Sequence, residues 1–263
     1  MYHFAPFPIY VVYSRQNQLD AAYEVDELYR EKQYEQQRSV SADAITREDT
    51  DRSSQFAARN YYLRVASLLR KISSTKIGAI LLKQFKTAVY IVPRTGGCYC
   101  AQTYPLIYQI APEINYSRGK GASYIWFAPD EKFQDDVLFH ELVHAYRFAF
   151  DKFEPRSVAN GEYNTEEFLA HQLQNIYLSE LKKPIYFTYR TEEISTKARI
   201  YEHFLTNPEF PMVLKYFLRH EYLAMLAAHV EGSDYNPFRD AEKIEQKYLE
   251  RLGDPTIKTL PRF

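Results

Sequence analysis

The chain has 263 residues, enough for one large domain or for a catalytic domain with a helical extension. Acidic and basic side chains nearly cancel at a formal charge of -1, which argues against nucleic acid or another polyanion as a partner. No apolar run approaches the roughly 20 residues of a membrane span, and the N-terminus lacks the basic leader and cleavage site of a signal peptide.

The first element in chain order is Met1 to Tyr13, an apolar segment expected to run extended and pack on the body. Gln18 to Gln37 reads as a charged helix whose contact face carries Leu19, Tyr23, Val25, Leu28 and Tyr29. From Ser39 to Ser54 the apolar residues give way to Ser, Asp, Arg and Thr, the composition of a linker. The expected division is therefore 1–54, an N-terminal segment, and 55–263, the main domain. Ser53 or Ser54 is placed to cap a helix running to about Ile72, and a shorter helix follows near Lys76 to Lys86. Val89 to Pro93 reads as a strand and TGGCYCAQTY as a turn into another. Cys98 and Cys100 share a strand face there, but no second pair completes a zinc site; they read as small core residues of a reducing compartment. INYSRGKG, 114–121, is a loop, with Arg118 and Lys120 as solvated charges.

Chemistry enters at HELVHAYRFA. The run Tyr124 to Ala128 is a short aromatic strand, broken by Pro129 and Asp130. Asp135 and Asp136 then suit the positive end of a new helix, and Val137, Leu138, Leu142 and Ala145 give it an apolar face. On that helix His140 and His144 stand four apart, so both imidazoles project toward one point. Two neutral imidazoles on one turn suit zinc. Glu141, one residue round, supplies the base that activates a water held by the same ion. A strand ahead of such a helix offers an edge on which an extended protein substrate can hydrogen-bond.

The segment EEFLAHQLQNIYLSE, Glu166 to Glu180, is a second helix with Leu169, Leu173 and Ile176 on its core face. Glu167, His171 and Gln174 fall on a separate polar stripe. Glu167 follows His144 by 23 residues, enough for one helix to end and another to return. Three protein ligands leave a coordination position for water, the mark of a catalytic zinc. Glu166 competes, but four residues beyond it lies Ala170, whereas His171 follows Glu167. Asn175 could hold a ligand histidine or the loop above it by hydrogen bonding, and Tyr177 packs. Arg147 could form a surface pair with Glu162 or Glu166 and has no catalytic role. Further helices are expected at Glu192 to Leu205, Pro211 to Val230 and Pro237 to Leu252, giving an α+β architecture, mostly helix, with about three or four strands beside the HExxH helix. The 24 tyrosines fit half-buried positions of such amphipathic helices.

The pairing of HELVHAYR with EEFLA and QNIYLSE resembles the NleD-type effector metallopeptidases, zinc peptidases delivered by bacterial type III secretion. The stretch Ser74 to Pro93 looks like the helix and first strand leading into that domain, and the likeness covers roughly Asn60 to Pro184. EFLA is also similar to the glutamate-bearing helix of anthrax lethal factor, where ExxxE follows HExxH. The resemblance implies a zincin-like fold with His140, His144 and Glu167 as zinc ligands and Glu141 as general base. It also implies a toxin-like effector that leaves the producing cell by a specialised route. His171 departs from the pattern: it stands where gluzincins carry a carboxylate that orients a ligand histidine.

Charge developing on the scissile carbonyl calls for a further donor. Arg219 and Tyr222, in RHEY, are expected three apart on one helical face and are similar to the RxxY pair of clostridial neurotoxin peptidases. His220, as in thermolysin-like enzymes, and Tyr163 are the other candidates, while His203 and His229 read as packing residues. The leading expectation is a zinc endopeptidase acting on a specific protein inside a target cell. The alternative is a zinc-stabilised, non-catalytic interaction protein; a peptidase restrained by its own first 54 residues is a third reading.

Overall fold

The structure is a computed structural model that describes residues 2–11, 47–93, 123–127, 135–150, 152, 156–158, 163–186, 201–206 and 209–253. The helix expected at 18–37, the cysteine-bearing turn, the loop 114–121 and most of the helix expected at 192–205 lie outside them. The chain divides into two compact units, Met1–Lys71 with Phe85–Asp151, and Ile72–Gln84 with Lys152–Phe263. Among the described residues, 2–11 and 47–71 fall in the same unit as the HExxH helix. The described residues are mostly helical with a small sheet, the α+β arrangement expected.

The first unit is built on four strands, β1 (Tyr2–His3), β2 (Ile9–Val11), β3 (Val89–Pro93) and β4 (Ser123–Phe127), adjacent in that order. β1 runs antiparallel to β2, while β2, β3 and β4 are mutually parallel. Alternation sorts the faces. Ile9, Val11, Val89, Ile91, Ile125 and Phe127 are buried on one side. The register aligns His3, Tyr10 and Tyr90 on the other, where the Tyr10 ring stacks between His3 at 4.8 Å and Tyr90 at 5.4 Å. The apolar N-terminal segment thus joins the sheet as two strands.

Two helices belong to this unit's core. α1 (Arg47–Ser73) buries Val65, Ala66 and Leu69, and its Tyr61 hydroxyl donates to the Phe127 carbonyl at 2.8 Å. It begins earlier than expected, inside the 39–54 stretch read as a linker. The charges of REDTDR sit four apart with opposite sign, Arg47 with Asp51 and Glu48 with Arg52, a spacing that favours helix without an apolar face. The second helix, α3 (Asp135–Ala149), packs on β4, where the Ser123 hydroxyl donates to the Ala145 carbonyl at 3.0 Å. Between them in sequence lies α2 (Lys76–Gln84), which belongs to the other unit.

The second unit is helical apart from a hairpin of β5 (Ser157–Val158) and β6 (Tyr163–Asn164). Its helices are α2, α4 (Thr165–Glu180), α5 (Glu202–Thr206), α6 (Glu209–His220), α7 (Tyr222–Ala228) and α8 (Ala241–Gly253). Phe168, Phe204, Phe210 and Phe217 form its aromatic centre, with ring centroids 5.2 to 6.5 Å apart. The Glu180 carboxylate closes the start of α2, accepting from the Lys76 amide at 3.0 Å and the Ile77 amide at 2.9 Å. α4 ends with Lys182 in the left-handed region at φ 56°, its amide bonded to the Ser179 carbonyl at 3.1 Å. The single helix expected from Pro211 to Val230 is two, because Glu221 leaves helical geometry at φ -117° and caps α7.

Candidate metal centre

α3 carries HExxH through its middle. Its first turn is anchored by Asp135, fully buried and paired with the Lys71 ammonium at 2.8 Å, and a carboxylate there also complements the helix dipole. From Leu138 to Arg147 every residue of α3 is buried, so the helix cannot turn its histidines toward open solvent. The Nε2 atoms of His140 and His144 lie 3.1 Å apart, with rings at 78° to one another. Two nitrogens bound at roughly 2.0–2.1 Å to one tetrahedral ion stand about 3.3 Å apart. The imidazoles are thus already spaced as a shared ion requires.

α4 starts at Asn164, whose side-chain oxygen accepts from the Glu167 amide at 2.8 Å. That cap fixes the first turn and places Glu167 at its third position, where the positive end of the helix favours a carboxylate. His140, His144 and Glu167 form a group that could hold a metal ion: each offers one ligand atom, and these atoms all lie within 4.8 Å of one another. Glu166, the competitor weighed from sequence, is buried and outside this group. Two imidazole nitrogens and one carboxylate oxygen make a donor set that suits zinc and leaves a coordination position for solvent. Glu141 is buried beside His140. A divalent cation would offset the negative charge that the Glu141 and Glu167 carboxylates bring to this group.

The other expected site residues fall elsewhere. Asn175, expected to hold either a ligand histidine or a loop, bonds backbone: its amide nitrogen donates to the Tyr186 carbonyl at 2.8 Å and its oxygen accepts from the Tyr186 amide at 3.1 Å. It pins the chain that follows α4. His171 and Gln174 are half-buried at the next turns of the Glu167 stripe. Arg219 and Tyr222 do not share a helical face, because the break at Glu221 puts Arg219 in the last turn of α6 and Tyr222 at the start of α7, both exposed. His220 is exposed with its ring 4.8 Å from Tyr216, and Tyr163 lies in β6. Tyr177 packs, fully buried. Arg147 is no surface charge; it is buried, as is Glu166.

Asn164, Ser123 and Lys71, the partner of Asp135, position the site without having been singled out from sequence. Only Asn164 had a local signal: NTEE is an N-cap residue followed three positions later by Glu, the pattern of a helix start. No family model, curated protein or solved structure matches the chain.

Proposed function

We propose that the protein is a zinc-dependent endopeptidase. The observation that carries this reading is the His140–His144–Glu167 group with Glu141 on the same helical turn as His140. A zinc ion, when bound, supplies a Lewis acid for the scissile carbonyl and lowers the pKa of water toward 7. The protein's own groups do the rest. The His140 and His144 Nε2 atoms and a Glu167 oxygen hold the position of the charge. A Glu141 carboxylate oxygen takes the proton of the attacking water and returns it to the leaving amine nitrogen. Among the described residues β4 is paired on one side only, with β3, so its other edge can take an extended substrate strand. The resemblance to effector metallopeptidases makes a protein of a target cell the proposed substrate, reached through a specialised secretion route.

Purified protein should carry about one zinc per chain. Glu141→Gln should keep the zinc and lose hydrolysis, read as new N-termini that appear in a target-cell extract with the native protein and not with the variant. Equal cleavage by the variant would remove Glu141 from the chemistry. Stripping the metal separates the alternative of a zinc-stabilised binding protein: collapse of the fold on chelation supports that reading, and an intact fold with lost hydrolysis supports the peptidase.

A further inference from the structure

We propose that Ser123 is a positioning residue of the metal centre: its hydroxyl fixes the rotation and height of α3 on the sheet, and through them the aim of His140 and His144. Zinc binding at those two rings, the reading already proposed, underlies this assignment. Ser123 opens β4 on the sheet face whose other members, Ile9, Val11, Val89, Ile91, Ile125 and Phe127, are buried and apolar. Packing alone calls for another apolar side chain at that place. A hydroxyl buried there costs free energy unless it is bonded, and Ser123 donates to the Ala145 carbonyl at 3.0 Å. Ala145 directly follows His144 on α3.

Apolar burial holds a helix against a sheet but is non-directional, so small slides and rotations meet little resistance from it. A hydrogen bond is narrow in distance and angle. Helix carbonyls point along the helix axis, so the bond from Ser123 marks one height on α3. The other end of the histidine stretch is held as well. Asp135, five residues before His140, is fully buried and pairs with the Lys71 ammonium at 2.8 Å. That pair joins the last turn of α1 to the first turn of α3, the arrangement both helix dipoles favour. Tyr61 of α1 closes the frame on the last residue of β4, donating to the Phe127 carbonyl at 2.8 Å. Polar joints thus connect α1, β4 and α3 pairwise, and both histidines lie between the two joints on α3. Of these joints, the Ser123 bond is the one on the turn that carries His144. A misplacement of about 1 Å is enough to degrade a functional site.

The test uses the full chain, with zinc affinity read by competition with a fluorescent chelator. The visible absorption of the cobalt(II) form reports coordination geometry alongside it. Ser123→Ala removes the hydroxyl and leaves the Ala145 carbonyl in the helix ladder, so no buried group loses its only partner. It should weaken zinc binding about tenfold, as loss of a group that orients a ligand does, and shift the cobalt bands. Ser123→Thr keeps a hydroxyl on a side chain suited to strands and should restore both. Ile9→Val, on the same buried face, measures what looser packing alone does. It should lower the urea midpoint and leave affinity and bands unchanged. Circular dichroism checks each fold; should Ser123→Ala fail to fold, Ser123→Cys, similar in size with a weaker donor, takes its place. A native chain that binds no zinc would overturn the zinc reading and this inference together. A native chain with zinc, and a Ser123→Ala or Ser123→Cys variant with the same affinity and bands, would overturn this inference alone. So would a folded Ser123→Thr that restores neither, or a loss of affinity in Ile9→Val as large as that in Ser123→Ala.

Discussion

His203 gives the protein a measurable acid sensitivity in its second unit. The residue sits on α5, buried, with its ring centroid 4.0 Å from Phe204 and 6.3 Å from Tyr235. Its Nε2 is 3.4 Å from the Tyr235 hydroxyl, a long contact, and that hydroxyl also donates to Gln172 of α4. A hydroxyl committed as donor accepts on its other side, so the neutral imidazole carries its proton on Nε2. Burial strips water from the imidazolium and pushes the pKa down to about 3 from 6.5. The folded protein then binds fewer protons than the unfolded chain between those two values. Stability from the neutral ring is fully present above 6.5 and is lost as pH falls toward 3.

Each pH unit inside that window costs about 1.4 kcal/mol for one proton. Going from pH 7.5 to pH 5.0 should therefore remove about 2 kcal/mol, a sizeable part of ordinary domain stability. The assay is urea unfolding followed by circular dichroism at both pH values, for the native chain and for His203→Gln. Glutamine retains a donor for Tyr235 and cannot titrate. Other histidines, including His140 and His144, contribute equally to both proteins, so the difference between the two pH dependences isolates His203. The variant should lose about 2 kcal/mol less than the native chain over this interval. Identical pH dependences would mean that His203 is not held neutral by burial, and the reasoning would fail.

Two further expectations concern the metal group and the start of α2. Glu167→Ala should weaken zinc binding by more than about 100-fold, the upper end of what losing an outer partner of a ligand costs, whereas Glu166→Gln should stay within about tenfold. Competition with a fluorescent chelator measures both, and the opposite order would transfer the ligand role to Glu166. Gly78→Ala should destabilise although alanine is the better helix former. A Cβ at Gly78 would lie 1.9 Å from the Ile72 carbonyl oxygen and 2.6 Å from the Thr75 hydroxyl. Overpacking of roughly 3 kcal/mol less a propensity gain of about 1 leaves a net loss near 2 kcal/mol, seen as a lower urea midpoint. A more stable variant would show that the close approach at Gly78 relaxes without cost.

The parts of the fold that were readable are those whose signal is local. Asp135 and Asp136 open α3 where a helix start was expected, and the apolar spacing from Val137 to Ala145 set its face. The β3 boundaries fell as read because Val89 to Pro93 is a short apolar run with a proline at its end. Where the signal was missing, the physics explains the miss. Low apolar content at 47–54 says that little would be buried there, not that no helix forms. The break at Glu221 has no glycine or proline beside it; a glutamate supplies the capping oxygen usually drawn from Ser, Thr, Asp or Asn. That one substitution in capping chemistry undid the expected Arg219–Tyr222 pair.

Partner choice for side chains was the hardest to read. Asn175 and His171 lie on the same helix, four residues apart, and either could have served a ligand. What separates them is tertiary: the Tyr186 backbone returns to Asn175 and satisfies its amide from both sides. The same holds for charge. Arg147 read as one half of a surface pair with Glu162 or Glu166 because spacing cannot report depth, yet it is buried on the stripe of α3 that carries His140 and His144 at seven and three residues before it. The motif is legible because one helix sets the spacing of His140 and His144, whereas the depth at which Arg147 sits on the same stripe is set by tertiary packing, which spacing does not encode.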